Sequence, residues 1–128
     1  MVAARDAILV DTHYILWQRI KPAQLSREEQ GAIDDATVRY ISIVSIWEIA
    51  LLQGLGRLPA DPLLLDVPPG FDLLRLQLRH CKAYGALPLL HRDPFDRMLI
   101  AQAESEHVPL LTRDQTMRAY HGHATFLP

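Results

Sequence analysis

Asp11, Glu48, Asp96 and Asp114 are the residues of this chain whose type and placement suit chemistry. Each carboxylate falls where an apolar run stops or a helix begins. Asp11 follows Ala7-Ile8-Leu9-Val10, Glu48 follows Ser45-Ile46-Trp47, Asp96 follows Asp93-Pro94-Phe95, and Asp114 closes Leu111-Thr112-Arg113. Acids gathered in one cleft repel and raise one another's pKa unless a cation compensates. A hard cation such as Mg²⁺ takes oxygen ligands and keeps several waters, so an open carboxylate rim suits it better than a closed cage. Such a rim is fitted to phosphodiester hydrolysis: the ion orients a water, lowers its pKa and stabilises charge on the leaving oxygen. No side-chain nucleophile is then needed. None is signalled: the chain has no Walker-type glycine loop and no Gly-x-Ser-x-Gly elbow, and Gly54-Leu55-Gly56 lacks both the third glycine and the preceding strand of a dinucleotide fingerprint.

Each acid also has a structural explanation. Asp11 and Asp114 can cap the helices that follow them, and Glu48 can be the reciprocal partner of Ser45 in a capping box. Asp96, three residues after Asp93, is favoured near a helix start by the dipole alone. For Asp93 itself the N-cap reading outranks that of a metal ligand. Thr12 can orient the first acid or a water through its hydroxyl. His13 and His91 suit general bases, but metal-activated water needs no histidine, and the structural reading is preferred. Trp47, Phe95 and Tyr14 are assigned to the core before base stacking. Cys81 is read as a small buried residue. Arg92, Arg97 and Arg113 flank the acids as contacts for a substrate phosphate; Arg97 and Arg113 serve equally as internal counter-ions, and the sequence does not separate these roles.

The elements that must position these residues alternate between strand and helix. Ala7 to Val10 reads as a strand buried on both faces, followed by a short helix from Thr12 to Trp17 that Pro22 breaks. Ser26-Arg27-Glu28-Glu29 has capping-box spacing and opens a helix to Asp35. Tyr40 to Val44 is β-branched and strand-like, and a second capping-box spacing at Ser45 starts a helix through Gln53, closed by Gly54 and Gly56. Pro59 to Gly70, with four prolines, is an irregular crossover. Phe71 to Leu76 reads as a strand and Leu78 to Ala86 as a helix. Asp93-Pro94 starts a longer helix to about Glu106, with Pro94 at the first helical position. Val108 to Leu111 is a buried strand, Gln115 to Tyr120 a short helix, and Ala124 to Leu127 a candidate edge strand. This alternation predicts an α/β fold, a central mainly parallel sheet of about four to five strands with helices on both faces. In such sheets ligands collect beyond the carboxyl ends of the strands, where Asp11 and Asp114 stand, while Glu48 and Asp96 are placed in the first turns of helices. Four acids are thereby expected on one rim.

Composition sets the frame. The 128 residues suit one domain spanning 1–128, and 49% hydrophobic with 22% charged residues is the balance of a folded protein. One cysteine excludes an intrachain disulfide or a thiolate cluster, no Cys/His spacing supports structural zinc, and a reducing, cytoplasmic setting is compatible. The opening Met1 to Asp6 lacks a secretory layout, and no apolar run approaches the ~20 residues of a membrane span. A net charge of −2 excludes a globally basic nucleic-acid binder, so any phosphate contact must come from a local patch.

Taken together, Leu9-Val10-Asp11-Thr12-His13, Ser45-Ile46-Trp47-Glu48-Ile49-Ala50, Gly56-Arg57-Leu58, His91-Arg92-Asp93-Pro94-Phe95-Asp96-Arg97, Leu99-Ile100-Ala101-Gln102-Ala103 and Leu111-Thr112-Arg113-Asp114 resemble the VapC-like PIN-domain toxins. The resemblance runs in order over nearly the whole chain and is most specific from His91 to Ala103. It implies a three-layer α/β/α fold and an endoribonuclease dependent on Mg²⁺ or Mn²⁺, acting on structured RNA such as transfer or ribosomal RNA. Position by position, Asp11 matches the first metal-binding acid, Glu48 the second, Asp96 the third, and Asp114 the fourth, more weakly engaged one. It also implies a cognate antitoxin that covers the site and a toxin homodimer. Two rivals stand beside this reading. A phosphatase with Asp11 as nucleophile wants a second acid two residues later, where His13 stands. A non-catalytic PIN-like module holding RNA or an antitoxin has no reason to retain crowded acids.

Overall fold

The computed structural model describes residues 6–128; the segment Met1 to Arg5, read above for a secretory signal, lies outside them. β1 (Ala7–Val10) is buried along its length and pairs in parallel with β2 (Val38–Ser42) on one side. β3 (Asp72–Leu74) continues the sheet beyond β2, and β4 (Leu110–Leu111) lies on the other side of β1. The order is β3-β2-β1-β4, all parallel. This is the expected α/β arrangement at four strands.

Alternation along β1 divides two cores, because successive side chains leave a strand on opposite faces. Ile8 and Val10 pack with Tyr14 and Ile15 of α1 (Thr12–Ile20), Ile33 of α2 (Arg27–Asp35) and Ile49 of α3 (Ile43–Gly54). Ala7 and Leu9 pack with Leu87, which follows α4 (Leu78–Ala86), with Leu99 and Ile100 of α5 (Pro94–Glu106) and with Met117 of α6 (Gln115–Arg118). The sheet is therefore covered on both faces, as a continuous apolar strand requires.

The helix starts are set by local chemistry. Ser26 and Glu29 form the expected capping box, each side chain accepting from the other's backbone N–H at 3.0 and 2.9 Å. The second expected box is not there. Ser42, not Ser45, caps α3, its hydroxyl accepting from Val44 N at 3.0 Å, so the helix begins two residues before Ser45. Glu48 is consequently the sixth residue of α3 rather than a first-turn residue, and Ser45 is buried inside the helix. The β-branched Ile43 and Val44 suggested strand; the serine hydroxyl before them decides for helix.

Strand ends are also shorter than the apolar runs. Val108 turns its N–H back to Ala103 O, and Pro109 has no N–H to give, which leaves β4 with two residues. The edge strand expected over 124–127 is reduced to one bridge between Leu110 and Phe126. β3 keeps three of the six residues expected from Phe71 to Leu76. In the proline-rich crossover, Pro62–Leu65 forms a 3-10 turn capped by Asp61, and Leu64 reaches the core.

Candidate active site

The carboxyl ends of β1 and β4 are adjacent, and that adjacency builds the site. Asp11 leaves β1 buried and performs two tasks. As N-cap of α1 its Oδ1 accepts from His13 N at 2.7 Å, while Oδ2 accepts from the Thr112 hydroxyl at 2.6 Å. The same Thr112 oxygen accepts from Asp114 N at 3.1 Å, so one buried hydroxyl aligns the first acid with the fourth. Asp114 caps α6 with Oδ1, which receives Thr116 N and the Thr116 hydroxyl. Asp11 and Asp114 line a shared cavity of about 210 Å³ with His13, Trp17 and Arg113. A larger concavity of about 360 Å³ near Ala103, His123 and Phe126 contains none of the four acids.

α5 supplies the third acid. Asp93 caps it as expected, Oδ1 accepting from Phe95 N at 2.9 Å and Asp96 N at 3.3 Å, and Pro94 takes the first helical position. That cap leaves Asp96 in the first turn, where its Oδ2 lies 2.9 Å from His91 Nε2. Glu48 comes from the middle of α3, and its Oε1 is buried with no hydrogen-bond partner. Thr12 donates to Ser45 Oγ at 2.8 Å, tying the start of α1 to α3 one turn before Glu48.

The acids feel one another. Burial pushes Glu48 above the usual carboxylate range, opposed by the Thr12 hydroxyl and reinforced by the charges of Asp96 and Asp93. Asp96 is pushed up to about 6, first by burial, against the His91 hydrogen bond, then by the charges of Asp93 and Asp11. Asp114 differs: burial would raise it, but the Thr116 hydrogen bonds and the charge of His91 hold it below its ordinary value. His13 is raised to about 9, chiefly by its hydrogen bond to Asp11 against the cost of burial, with the charges of Asp11, Glu48 and Asp96 adding to the rise. Carboxylates that destabilise one another's charge, beside a buried carboxylate oxygen with no donor, make a donor set fitted to a divalent cation.

A titration checks this field. His13 is expected to titrate near 9 by NMR in metal-free protein and to fall towards 6.5 in Asp11→Asn. A wild-type midpoint already near 6.5 would show that Asp11 does not hold the imidazole.

Other assignments come out unevenly. Tyr14 is core, its hydroxyl donating to Glu29 Oε2 at 2.6 Å. Trp47 is not: it is 63% exposed and meets Phe95 edge to face at 4.9 Å between centroids. Cys81, expected to be buried, is exposed, because α4 turns that position away from the core. The two arginines read as counter-ions pair elsewhere. Arg113 binds Glu29 at 2.6 and 2.9 Å and stacks 4.2 Å from the Trp17 ring; Arg97 lies 4.5 Å from the Tyr84 ring and donates to Leu87 O. Arg92 is exposed beside the α5 cap.

Two residues take roles at the site that the sequence reading did not give them: His91 was weighed there only as a general base and set aside for a structural role. His91 joins Asp96 and Asp114 in a group whose ligand atoms lie within 4.8 Å of one another. Thr112 was visible only as a neighbour of Asp114, and its bond to Asp11 spans 101 residues. No local pattern reports such a contact.

A parallel sheet of this order, helices on both faces, Asp11 and Asp114 at the exits of β1 and β4 and Asp96 brought beside Asp114 from α5 define an α/β fold with an acidic cleft. The chain matches the PIN domain over residues 8–122 and belongs to that family. It is 25% identical over 124 residues to ribonuclease VapC22 of Mycobacterium tuberculosis, covering 88% of this chain and 91% of that protein. Its fold is similar to VapBC2 from Rickettsia felis bound to a DNA fragment from their promoter, with a TM-score of 0.73 at 14% identity over 94% of this chain and 97% of that one. It is likewise similar to FitAcB from Neisseria gonorrhoeae, with a TM-score of 0.65 at 18% identity and the same coverage.

Proposed function

We propose that this protein is a metal-dependent endoribonuclease of the VapC type, a single PIN-like domain acting in the cytoplasm and restrained by a cognate antitoxin. The observation that carries the reading is the buried, unpartnered Glu48 oxygen within the charge field of Asp96, whose own carboxyl is raised by burial and by the charges of Asp93 and Asp11. Similarity to a ribonuclease over nearly the whole chain supports the same activity.

Asp11, Glu48, Asp96 and Asp114 would hold Mg²⁺, or Mn²⁺ in its place. A bound ion would supply an activated water and stabilise charge on the leaving oxygen. The chain's own residues do the rest. Thr112 and the α1 N-terminus fix Asp11, Asp93 shapes the first turn that presents Asp96, and Thr12 holds α1 against α3 beneath Glu48. His13, raised to about 9 beside the acids in the metal-free protein, and exposed Arg92 are groups for an approaching RNA phosphate. Arg113 is 45% exposed at its side chain and borders the cavity, so it can contact RNA while paired with Glu29; Arg97 serves the packing of α4 against α5. An antitoxin partner and a homodimer follow from the resemblance to VapC-like toxins. VapBC2 and FitAcB, among the solved structures of similar fold, support the antitoxin.

The test is incubation of purified, antitoxin-free protein with total cellular RNA in Mg²⁺ or Mn²⁺, with EDTA and Asp11→Asn as controls. Discrete fragments from the wild type with metal alone are expected, and their ends identify the target among transfer and ribosomal RNAs. Equal inertness of folded wild type and mutant on every RNA would reassign the protein as a non-catalytic binding module.

A further inference from the structure

The metal reading so far uses only oxygen ligands, and the structure adds a nitrogen. Among the described residues, His91, Asp96 and Asp114 form the one group of three side chains whose potential ligand atoms all lie within 4.8 Å of one another. Asp96 is placed by the cap of α5 and Asp114 by its position at the start of α6, but His91 stands in the irregular stretch before α5 and needs another anchor. That anchor is Tyr120, fully buried in the turn after α6. Its hydroxyl accepts from Leu90 N at 3.0 Å and His91 N at 3.1 Å and donates to Pro88 O at 2.8 Å. A phenolic hydroxyl has one proton and two acceptor sites, and all three are used on this one stretch. A buried side chain whose three hydrogen bonds all go to the stretch from Pro88 to His91, 29 residues before it at His91, fixes the backbone from which the imidazole reaches Asp96.

His91 Nε2 shares a hydrogen bond with Asp96 Oδ2 at 2.9 Å, so a cation seated between the two atoms would take the place of that bond, and among the described residues no group hydrogen-bonds Nδ1. In a side chain 20% exposed, the ring proton can then sit on Nδ1 with Nε2 as the ligand atom. We propose that His91 is a nitrogen ligand of the divalent-cation site, held there by Tyr120, and that it biases the site towards Mn²⁺ over Mg²⁺. Imidazole suits transition ions, whereas Mg²⁺ binds oxygen and gains little from nitrogen. The inference rests on the metal-dependent reading above and specifies the metal that reading leaves open.

The experiment is pulsed EPR of Mn²⁺ bound to the metal-free protein, with calorimetric titration of Mn²⁺ and of Mg²⁺. Wild type is expected to show nitrogen-14 coupling to Mn²⁺ and a Mn²⁺ preference. In His91→Gln the coupling should vanish and the ratio of Mn²⁺ to Mg²⁺ affinity should fall about tenfold, the lower end of what a lost partner costs a metal site. Tyr120→Phe, with its fold checked by circular dichroism, should retain Mn²⁺ at about tenfold lower affinity, as loss of an outer-shell partner does. Bound Mn²⁺ without nitrogen coupling, or coupling that persists in His91→Gln, overturns the assignment of His91 and leaves the carboxylate site standing. A wild type that binds neither ion overturns both.

Discussion

Asp96→Asn should abolish RNA cleavage and, in metal-free protein near pH 7.5, raise the melting temperature. The two effects have one cause. Asp96 is pushed up to about 6 from an ordinary 3.8 by burial and by the charges of Asp93 and Asp11, so the folded state holds its proton more tightly than the unfolded chain. Its contribution favours folding below about pH 4 and is lost as pH rises through about 6. At pH 7.5 the ionised carboxylate therefore opposes folding, by up to about 3 kcal/mol from a shift of this size. Asparagine keeps the shape and removes the charge, which stabilises the cleft without metal. With metal the sign inverts, because the cation that makes the charge favourable loses a ligand. Cleavage should drop by about 10²- to 10³-fold or more, the scale of losing one preorganised electrostatic group. The checks are thermal unfolding with and without Mg²⁺ at pH 5 and 7.5, and the RNA assay. A variant less stable than wild type without metal, or one that still cuts at a tenth of the wild-type rate, contradicts the argument.

Gln102→Leu should destabilise the protein by about 1–3 kcal/mol, the cost of leaving buried polar groups without partners. Gln102, on the same helix α5 as Asp96, is fully buried and reaches Ser42, the cap of the helix α3 that carries Glu48. Its Oε1 accepts from the Ser42 hydroxyl at 2.5 Å, and that same hydroxyl caps α3. Its Nε2 faces Arg75 O at 3.5 Å and His80 Nδ1 at 3.4 Å; His80 Nδ1 also receives Gln77 N at 3.0 Å, and His80 Nε2 meets Glu106 at 2.8 Å. Leucine fills much of the volume but leaves the Ser42 proton stranded. Out of a total of about 5–15 kcal/mol this is a large fraction. Urea unfolding measures it, and a change under about 0.5 kcal/mol, the level of an ordinary surface substitution, would show that the network contributes little.

Both arguments concern residues whose identity was legible in the sequence and whose partners were not. β1 could be read because a short apolar run with no polar face must be buried on both sides, and Asp11 had to stand at its exit. The caps at Ser26 and Asp93 were legible because their bonds close within three residues. The start of α3 was misplaced for the opposite reason: Ser42 and Ser45 offer similar local hydroxyls, and what distinguishes them is distant, Ser42 donating to Gln102 60 residues away and Ser45 accepting from Thr12 33 residues away.

By itself the sequence determined the alternation of strand and helix, the parallel α/β class and the places of Asp11, Asp96 and Asp114 at element ends, though not that of Glu48, since periodicity and capping act over a few residues. Only the tertiary structure decided what those ends meet. It paired Arg113 with Glu29, exposed Trp47 and Cys81, joined Asp11 to Asp114 through Thr112, and tied the His91 backbone to Tyr120. Such contacts depend on the order of strands in the sheet and on hydroxyls that serve two distant segments at once. Residue type and local spacing carry neither.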